Sequence, residues 1–338
     1  MIRRLLLSLF VGLLVLVGIV AGAVYLDYQQ WLANPVHEDE QGREVDIASG
    51  SSFRAVRDTL ESAELLGNRS WYFEFLARER ELAGRLRAGE YRVPAGATPE
   101  ELLQQLVRGR VIQYGFTIIE GWTFNQLRAA IEANPHVINT LQGLDDAEIM
   151  ERLGVPDQHP EGWFYPDTYH FPRGTTDHDL LARALATMQR RLDALWEERE
   201  DDLPLETPYE ALILASIIER ETGQAAERDE VAGVFVRRLR RGMRLQTDPT
   251  VIYGMGDAYD GRIRRRDLQT DTPYNTYTRH GLPPTPIAMP GEASLRAALN
   301  PASGTSLFFV SRGDGTHYFS DTYDEHRRAI RRYILGQD

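Results

Sequence analysis

Glu219 and Glu221 flank Arg220 at the end of a strongly apolar run, Leu212-Ile213-Leu214-Ala215-Ser216-Ile217-Ile218. A carboxyl placed where a buried helix meets a cleft can act as a general acid. The same Glu-Arg-Glu can equally be an ion-paired structural end. A helix C-terminus disfavours negative charge, so each carboxyl there leans toward its protonated form. Two helix positions correspond to about 200° of rotation, so the two carboxyls face nearly opposite ways. One can enter a cleft while the other pairs, an arginine being the expected partner. Periodicity does not choose between them.

The element that must hold them is a helix with clear ends. Thr207 can cap it, Pro208 suits its first position, Glu210 completes a capping box and Gly223 can stop it. Being apolar nearly all round, it is expected to be buried. A second helix is read over 227–241, with Val231, Val234, Phe235 and Leu239 inward and Gly242 ending it. The stretches 243–254, 274–278 and 281–291 lack long helical periodicity. They mix Gln, Asn, Thr, Asp and Tyr with rigid prolines, as loops lining a preorganised cleft would.

Composition removes several chemistries. The chain has 338 residues, 42% hydrophobic, with a net charge of -12. That length suggests more than one domain, and the acidic balance argues against a nucleic-acid binder. There is no cysteine, and every basic residue is arginine. Thiol nucleophiles, cysteinyl metal sites, Schiff-base lysines and the Walker lysine are therefore out. Neither G-x-S-x-G nor H-E-x-x-H occurs.

The N-terminus reads as an anchor over 1–29. Arg3 and Arg4 precede an apolar run from Leu5 to about Leu26, long enough to span a bilayer, with the arginine side cytoplasmic. Tyr25, Tyr28 and Trp31 suit the far interface. A cleaved signal peptide is the rival, because Ala21-Gly22-Ala23 resembles a cleavage site. Residues 30–44 carry Pro35 and an acidic cluster without periodicity, and read as a linker.

A strand, glycine turn, Ser/Thr cap and amphipathic helix then recur three times. They start at Val45, Tyr91 and Phe116, with caps Ser52, Thr98 and Thr123. Trp71–Leu86 reads as a further helix. The aromatic stretch Glu161–Tyr169 reads as an ordered loop whose rings either stack on sugar or fill core. Asp177–Glu200 is a long amphipathic helix with Leu181, Leu185, Met188, Leu192 and Leu195 on one face. A hairpin around Gly313-Asp314-Gly315 and a helix over 324–335 close the chain. His317 and His326 are read as structural, not metal ligands.

Four motifs carry a resemblance. They are Leu214 to Thr222, Arg244 to Gly254, Tyr274-Asn275-Thr276-Tyr277 and Gly281-Leu282-Pro283-Pro284. Together they closely resemble the YceG-like family, and the second repeat resembles part of the LysM module. The expected fold class is α+β: a transmembrane helix, a LysM-like α/β module over 45–112, and a mixed catalytic domain over 113–338 with a buried helix carrying the catalytic glutamate.

The resemblance implies an inner-membrane, periplasm-facing enzyme that cuts nascent peptidoglycan within the strand. It would leave 1,6-anhydro-N-acetylmuramic acid ends. The family's catalytic glutamate falls on Glu219. Gln246, Asp248, Tyr253, Asn275 and Tyr277 are the candidates for substrate binding. The expected partners are glycan strands, the membrane and peptidoglycan synthases; neither cofactor nor metal is implied.

Such a reaction needs one carboxyl. It protonates the leaving oxygen, and the muramic C6 hydroxyl attacks the oxocarbenium-like centre as internal nucleophile. Two alternatives stay open. A muramidase would need a second carboxylate opposite Glu219, with Asp248 and Asp271 as candidates. A wall-binding scaffold would make Glu219 structural.

Overall fold

The computed structural model describes residues 2–337. Met1 and Asp338, the outer ends of the expected anchor and catalytic domain, lie outside the described residues, as do the side chains of Ile2 and Leu5. The chain divides into two compact units. The first holds residues up to Tyr114 together with Phe171–Arg173, and the second holds the remainder.

Unit 1 begins with helix α1 (Ile2–Ala33). Its stretch Leu6–Ala33 is long and apolar enough to cross a membrane. Leu6, Phe10, Leu13, Leu16 and Ile19 are exposed, but Tyr28 and Trp31 are buried. The sequence had suggested a lipid interface for those two rings. They pack instead on Tyr72, with centroids 5.2 and 5.6 Å away. Tyr72 Oη also donates to Asp27 Oδ2 at 2.8 Å.

The stretch read as a linker is docked rather than slack. Its first residues belong to α1, Val36 N donates to Ala97 O at 2.7 Å, and His37 is buried against Val93 O at 2.9 Å.

Strand β1 (Arg43–Ile47), helices α2 (Phe53–Ser62) and α3 (Ser70–Glu79), strand β2 (Gly89–Val93) and helix α4 (Pro99–Arg108) complete this unit. The strands pair antiparallel from Arg43↔Val93 to Ile47↔Gly89. Leu60, Phe73, Leu76, Tyr91, Leu102 and Leu106 form the core beneath them. Helix α3 is shorter than the periodicity over 71–86 suggested. Beyond it Glu81 takes φ +57 and the chain turns.

Unit 2 carries all but the first residue of strand β3 (Tyr114–Thr117), helices α5 (Phe124–Glu132) and α6 (Asp146–Arg152), and all but the last residue of strand β4 (Thr168–Phe171). Strands β3 and β4 pair, and the Thr117 and Thr168 hydroxyls lie 2.9 Å apart. Helices α7 (Asp177–Glu197), α8 (Pro208–Glu221), α9 (Arg228–Arg240), α10 (Asp248–Met255), α11 (Arg265–Gln269) and α12 (Glu292–Leu299) follow. The hairpin of β5 (Phe308–Ser311) and β6 (His317–Ser320) precedes α13 (Tyr323–Tyr333).

The three strand–turn–helix repeats form as read. Gly50, Gly96 and Gly121 take φ +76, +79 and +78 in their turns, a conformation that side chains with a Cβ disfavour. Ser52, Thr98 and Thr123 accept hydrogen bonds from Ala55, Glu101 and Gln126 amides. In α7, the five residues assigned to one face are all buried.

Helix α8 is the centre of unit 2. Ala211 to Ile218 are all buried, with α7, α9, α10 and α12 packed around them. Thr207 caps it by accepting from Glu210 N at 3.3 Å. The Glu210 carboxylate, however, receives Glu206 N rather than the cap's own amide, so no capping box closes. Gly223 is not the stop either: the helix ends at Glu221 because Thr222 turns extended, at φ -135 and ψ 131.

One stretch read as loop is helical. Residues 248–255 form α10, started by Pro249. With two turns and no apolar stripe, it carries no sequence period to detect.

Candidate active site

Glu219 sits where the end of α8 meets the start of α12. Its Oε2 accepts the Gly291 N–H at 3.0 Å and the Ser294 hydroxyl at 2.7 Å. Gly291 is the N-cap of α12, and Ser294 is fully buried in that helix's first turn. Glu219 thus lies between the C-terminus of α8 and the N-terminus of α12. The sequence revealed only the first of these two neighbours.

The segment 286–291 is fixed on both sides. Ser216 Oγ, inside α8, accepts Ile287 N at 3.0 Å. On the other side, Met289 N donates to Trp122 O at 2.7 Å and Gly121 N donates to Met289 O at 2.8 Å. The third repeat's turn is thereby held beside Glu219. Arg220 reinforces it, donating to Gly121 O at 3.2 Å.

This turn brings Glu120 to the site. A Cβ added at Gly291 would lie 1.8 Å from Glu120 Oε1. Glu120 and Glu219 therefore flank the same glycine. Burial, and then the charge of Glu219, push the Glu120 carboxyl up, while Arg228 pulls it down. Sequence reasoning had Glu120 in the repeat but gave it no role. Only its long-range meeting with residue 291 reveals it.

Glu221 faces away, as the helix geometry requires. Among the described residues it has no ion pair with an arginine, contrary to expectation. The Thr247 hydroxyl donates to its Oε2. The nearby Arg238 is occupied with the carbonyls of Leu307, Arg244 and Leu245. Desolvation pushes the Glu221 carboxyl up and Asp248 adds to this, against the hydrogen bond from Thr247 and the pull of His317 and Arg238.

Glu221 lines a cavity of about 720 Å³ together with Gln246, Asp248 and Tyr277. Gln246 is exposed at φ +51, and its N–H donates to Thr276 O at 3.1 Å. Tyr277 Oη donates to Asp248 Oδ1 at 2.5 Å.

The other two candidates are elsewhere. Asn275 is buried, and its amide donates to the carbonyls of Asp267, Leu268 and Thr270 while accepting from Tyr277 N. Those bonds shape the loop. Tyr253 donates to Glu161 Oε2 at 3.0 Å, and its ring meets Tyr274 edge-on.

Glu161 is buried, receives Phe124 N at 2.9 Å, and is pushed by desolvation up to about 7. Its aromatic neighbours Trp163, Phe164 and Tyr165 are buried too. Of the two aspartates considered as partners of Glu219, Asp271 is tied to Arg279 at 2.9 Å, and Asp248 lies on the Glu221 side. His317 binds Glu227 at 2.8 Å, whereas His326 stacks on Phe308 with its Nδ1 unpartnered among the described residues.

This is a mixed α+β protein with a carboxyl cluster at the end of a buried helix. The chain belongs to the YceG-like family, which it matches over residues 45–332. It is 31% identical to the endolytic murein transglycosylase of Bacillus subtilis (strain 168), over 95% of this chain and 92% of that one. It is 26% identical to the protein of that name from Streptococcus pneumoniae serotype 2 (strain D39), over 96% of this chain and 65% of that one. The crystal structure of a YceG-like protein from Listeria monocytogenes superposes with a TM-score of 0.54 at 28% identity, covering 86% of this chain and 99% of that one.

Proposed function

We propose that this chain is a membrane-anchored enzyme that cuts peptidoglycan strands internally by transglycosylation, with Glu219 as its catalytic carboxyl. The observation that carries the reading is similarity from end to end with an endolytic murein transglycosylase. The site chemistry supports it. Glu219 is held at one oxygen by Gly291 and Ser294, while its Oε1 makes no hydrogen bond among the described residues. That oxygen is available to exchange a proton with substrate. The muramic C6 hydroxyl then serves as nucleophile, so attack needs no enzyme nucleophile.

In this reading, residues 45–112 form a LysM-like module and residues 113–338 the catalytic domain. Gln246, Asp248 and Tyr277 contact glycan from their cavity, with Tyr253 and Asn275 in supporting positions. The anchor places the catalytic domain in the periplasm, the arginine-led end being cytoplasmic. There it meets nascent strands and the synthases that make them.

Mass spectrometry of murein digested by the purified protein tests the function. Anhydro ends are expected. Reducing ends would establish a muramidase, and no new ends a scaffold. A second reading concerns the acid itself: Glu221 is desolvated and shares its cavity with three binding candidates. Comparing the Gln variants of both glutamates decides between them.

A further inference from the structure

Two carboxyls meet at Gly291, and their surroundings differ. Glu219 Oε2 is committed to two donors, an N–H and an O–H at the start of α12. Glu120 has no hydrogen-bonding partner among the described residues. It stands on a turn clamped by Met289 and by Arg220, with its carboxyl over the Gly291 Cα. The groups facing it are Glu219 across the glycine, Arg228, and Arg220 beside Gly121.

The charge of a carboxylate on one side of Gly291 favours a proton on the carboxyl at the other side. When environments separate such a pair, the one kept neutral is the acid and the one kept charged is the base.

We propose that Glu120 is a second proton-carrying group of this site and delivers the proton to the leaving glycosidic oxygen, while Glu219 takes the proton of the C6 hydroxyl. This rests on the reading of Glu219 as a catalytic carboxyl and divides its labour. In the first step the Glu120 proton passes to the bridging oxygen, and the C1–O bond breaks with its electron pair going to that oxygen. In the second step the C6 oxygen bonds to C1, and its proton passes to Glu219. Transfer of that proton from Glu219 back to Glu120 restores the pair. The upward push on Glu120 from burial and from Glu219 agrees with this order.

The test uses the full chain, murein strands, and a glycan oligomer with an aryl leaving group on its muramic C1. An aryl oxide departs without an acid. Glu120→Gln is expected to slow strand cleavage by about 100-fold or more and to remove the limb of the pH–rate profile that falls as pH rises. It should keep most of its rate on the aryl substrate. Glu219→Gln should lose both activities.

A Glu120→Gln enzyme within twofold of wild type on strands overturns the proposal, as does equal loss on both substrates. If the Gln variant fails to fold, Glu120→Asp decides. It should lose rate on strands but not on the aryl substrate, and equality with wild type on both overturns the proposal. A dead Glu219→Gln beside an unaffected Glu120→Gln overturns only this inference. An active Glu219→Gln overturns the reading beneath it as well.

Discussion

The Ser294 hydroxyl donates to Glu219 Oε2 at 2.7 Å, joining the start of α12 to the end of α8. The contact sets one helix terminus against the other. It gives Glu219 a fixed direction, because the bonded oxygen cannot rotate without giving up two donors.

Ser294→Ala removes one of those donors from a fully buried position. The hypothesis that Ser294 orients Glu219 predicts roughly tenfold slower cleavage, with stability lowered by about 1–3 kcal/mol, the cost of leaving a buried group without its hydrogen-bond partner. A cleavage rate identical to wild type would rule the role out.

The two glutamates of α8 should differ in kind. Glu219→Gln is expected to abolish anhydro ends in a folded protein, since Gln cannot exchange the proton. Glu221→Gln keeps an acceptor for Thr247 and removes a desolvated carboxyl that burial has pushed up. Such a carboxyl stabilises the fold below its ordinary range and loses that contribution as pH rises through its shifted value. The Glu221→Gln protein should therefore be at least as stable as wild type at neutral pH, and active. Thermal unfolding and product release from both variants check this. A stable but dead Glu221→Gln enzyme would move the acid to Glu221.

Glu161 should make stability depend on pH. Its carboxyl is raised from 4.5 to about 7, so its contribution is complete below pH 4.5 and lost as pH rises through about 7. Over that window the change is on the order of 3 kcal/mol. Glu161→Gln should flatten the fall in Tm between those pH values. An unchanged slope would mean that the carboxyl titrates as in the unfolded chain.

What could be read from the sequence was local. The three capped turns and α7 were legible because their signals lie within a few residues. The opposed directions of Glu219 and Glu221 follow from helix geometry alone. The partners of those carboxyls were not legible. Ser294, Gly291 and Glu120 reach Glu219 from 75, 72 and 99 positions away in the sequence. Nothing in the spacing of 120, 219 and 291 says that they converge. The cavity beside Glu221 escaped notice for the same reason. Gln246 and Tyr277 stand out by their side-chain chemistry, and only the packing of α10 against α8 shows which glutamate they accompany.

The end of α1 should behave as part of unit 1. A chain shortened to begin at Val24 keeps Tyr28 and Trp31, whereas one beginning at Asn34 uncovers Tyr72. Each lost buried ring is worth about 1.5–3 kcal/mol, so the shorter chain should have the clearly lower Tm. Equal Tm values would show that the two rings are surface decoration.

That continuity has a mechanical meaning. The exposed run Leu6–Leu26 is about 31 Å of helix, close to the roughly 30 Å of a bilayer's hydrocarbon. Tyr28, two residues on, is already inside unit 1. For a helix seated in lipid by that run, there is no swivel between span and folded unit. With such a helix in lipid, unit 1 would be moored flush with the lipid surface, and helix register, not slack chain, would set the height at which it stands.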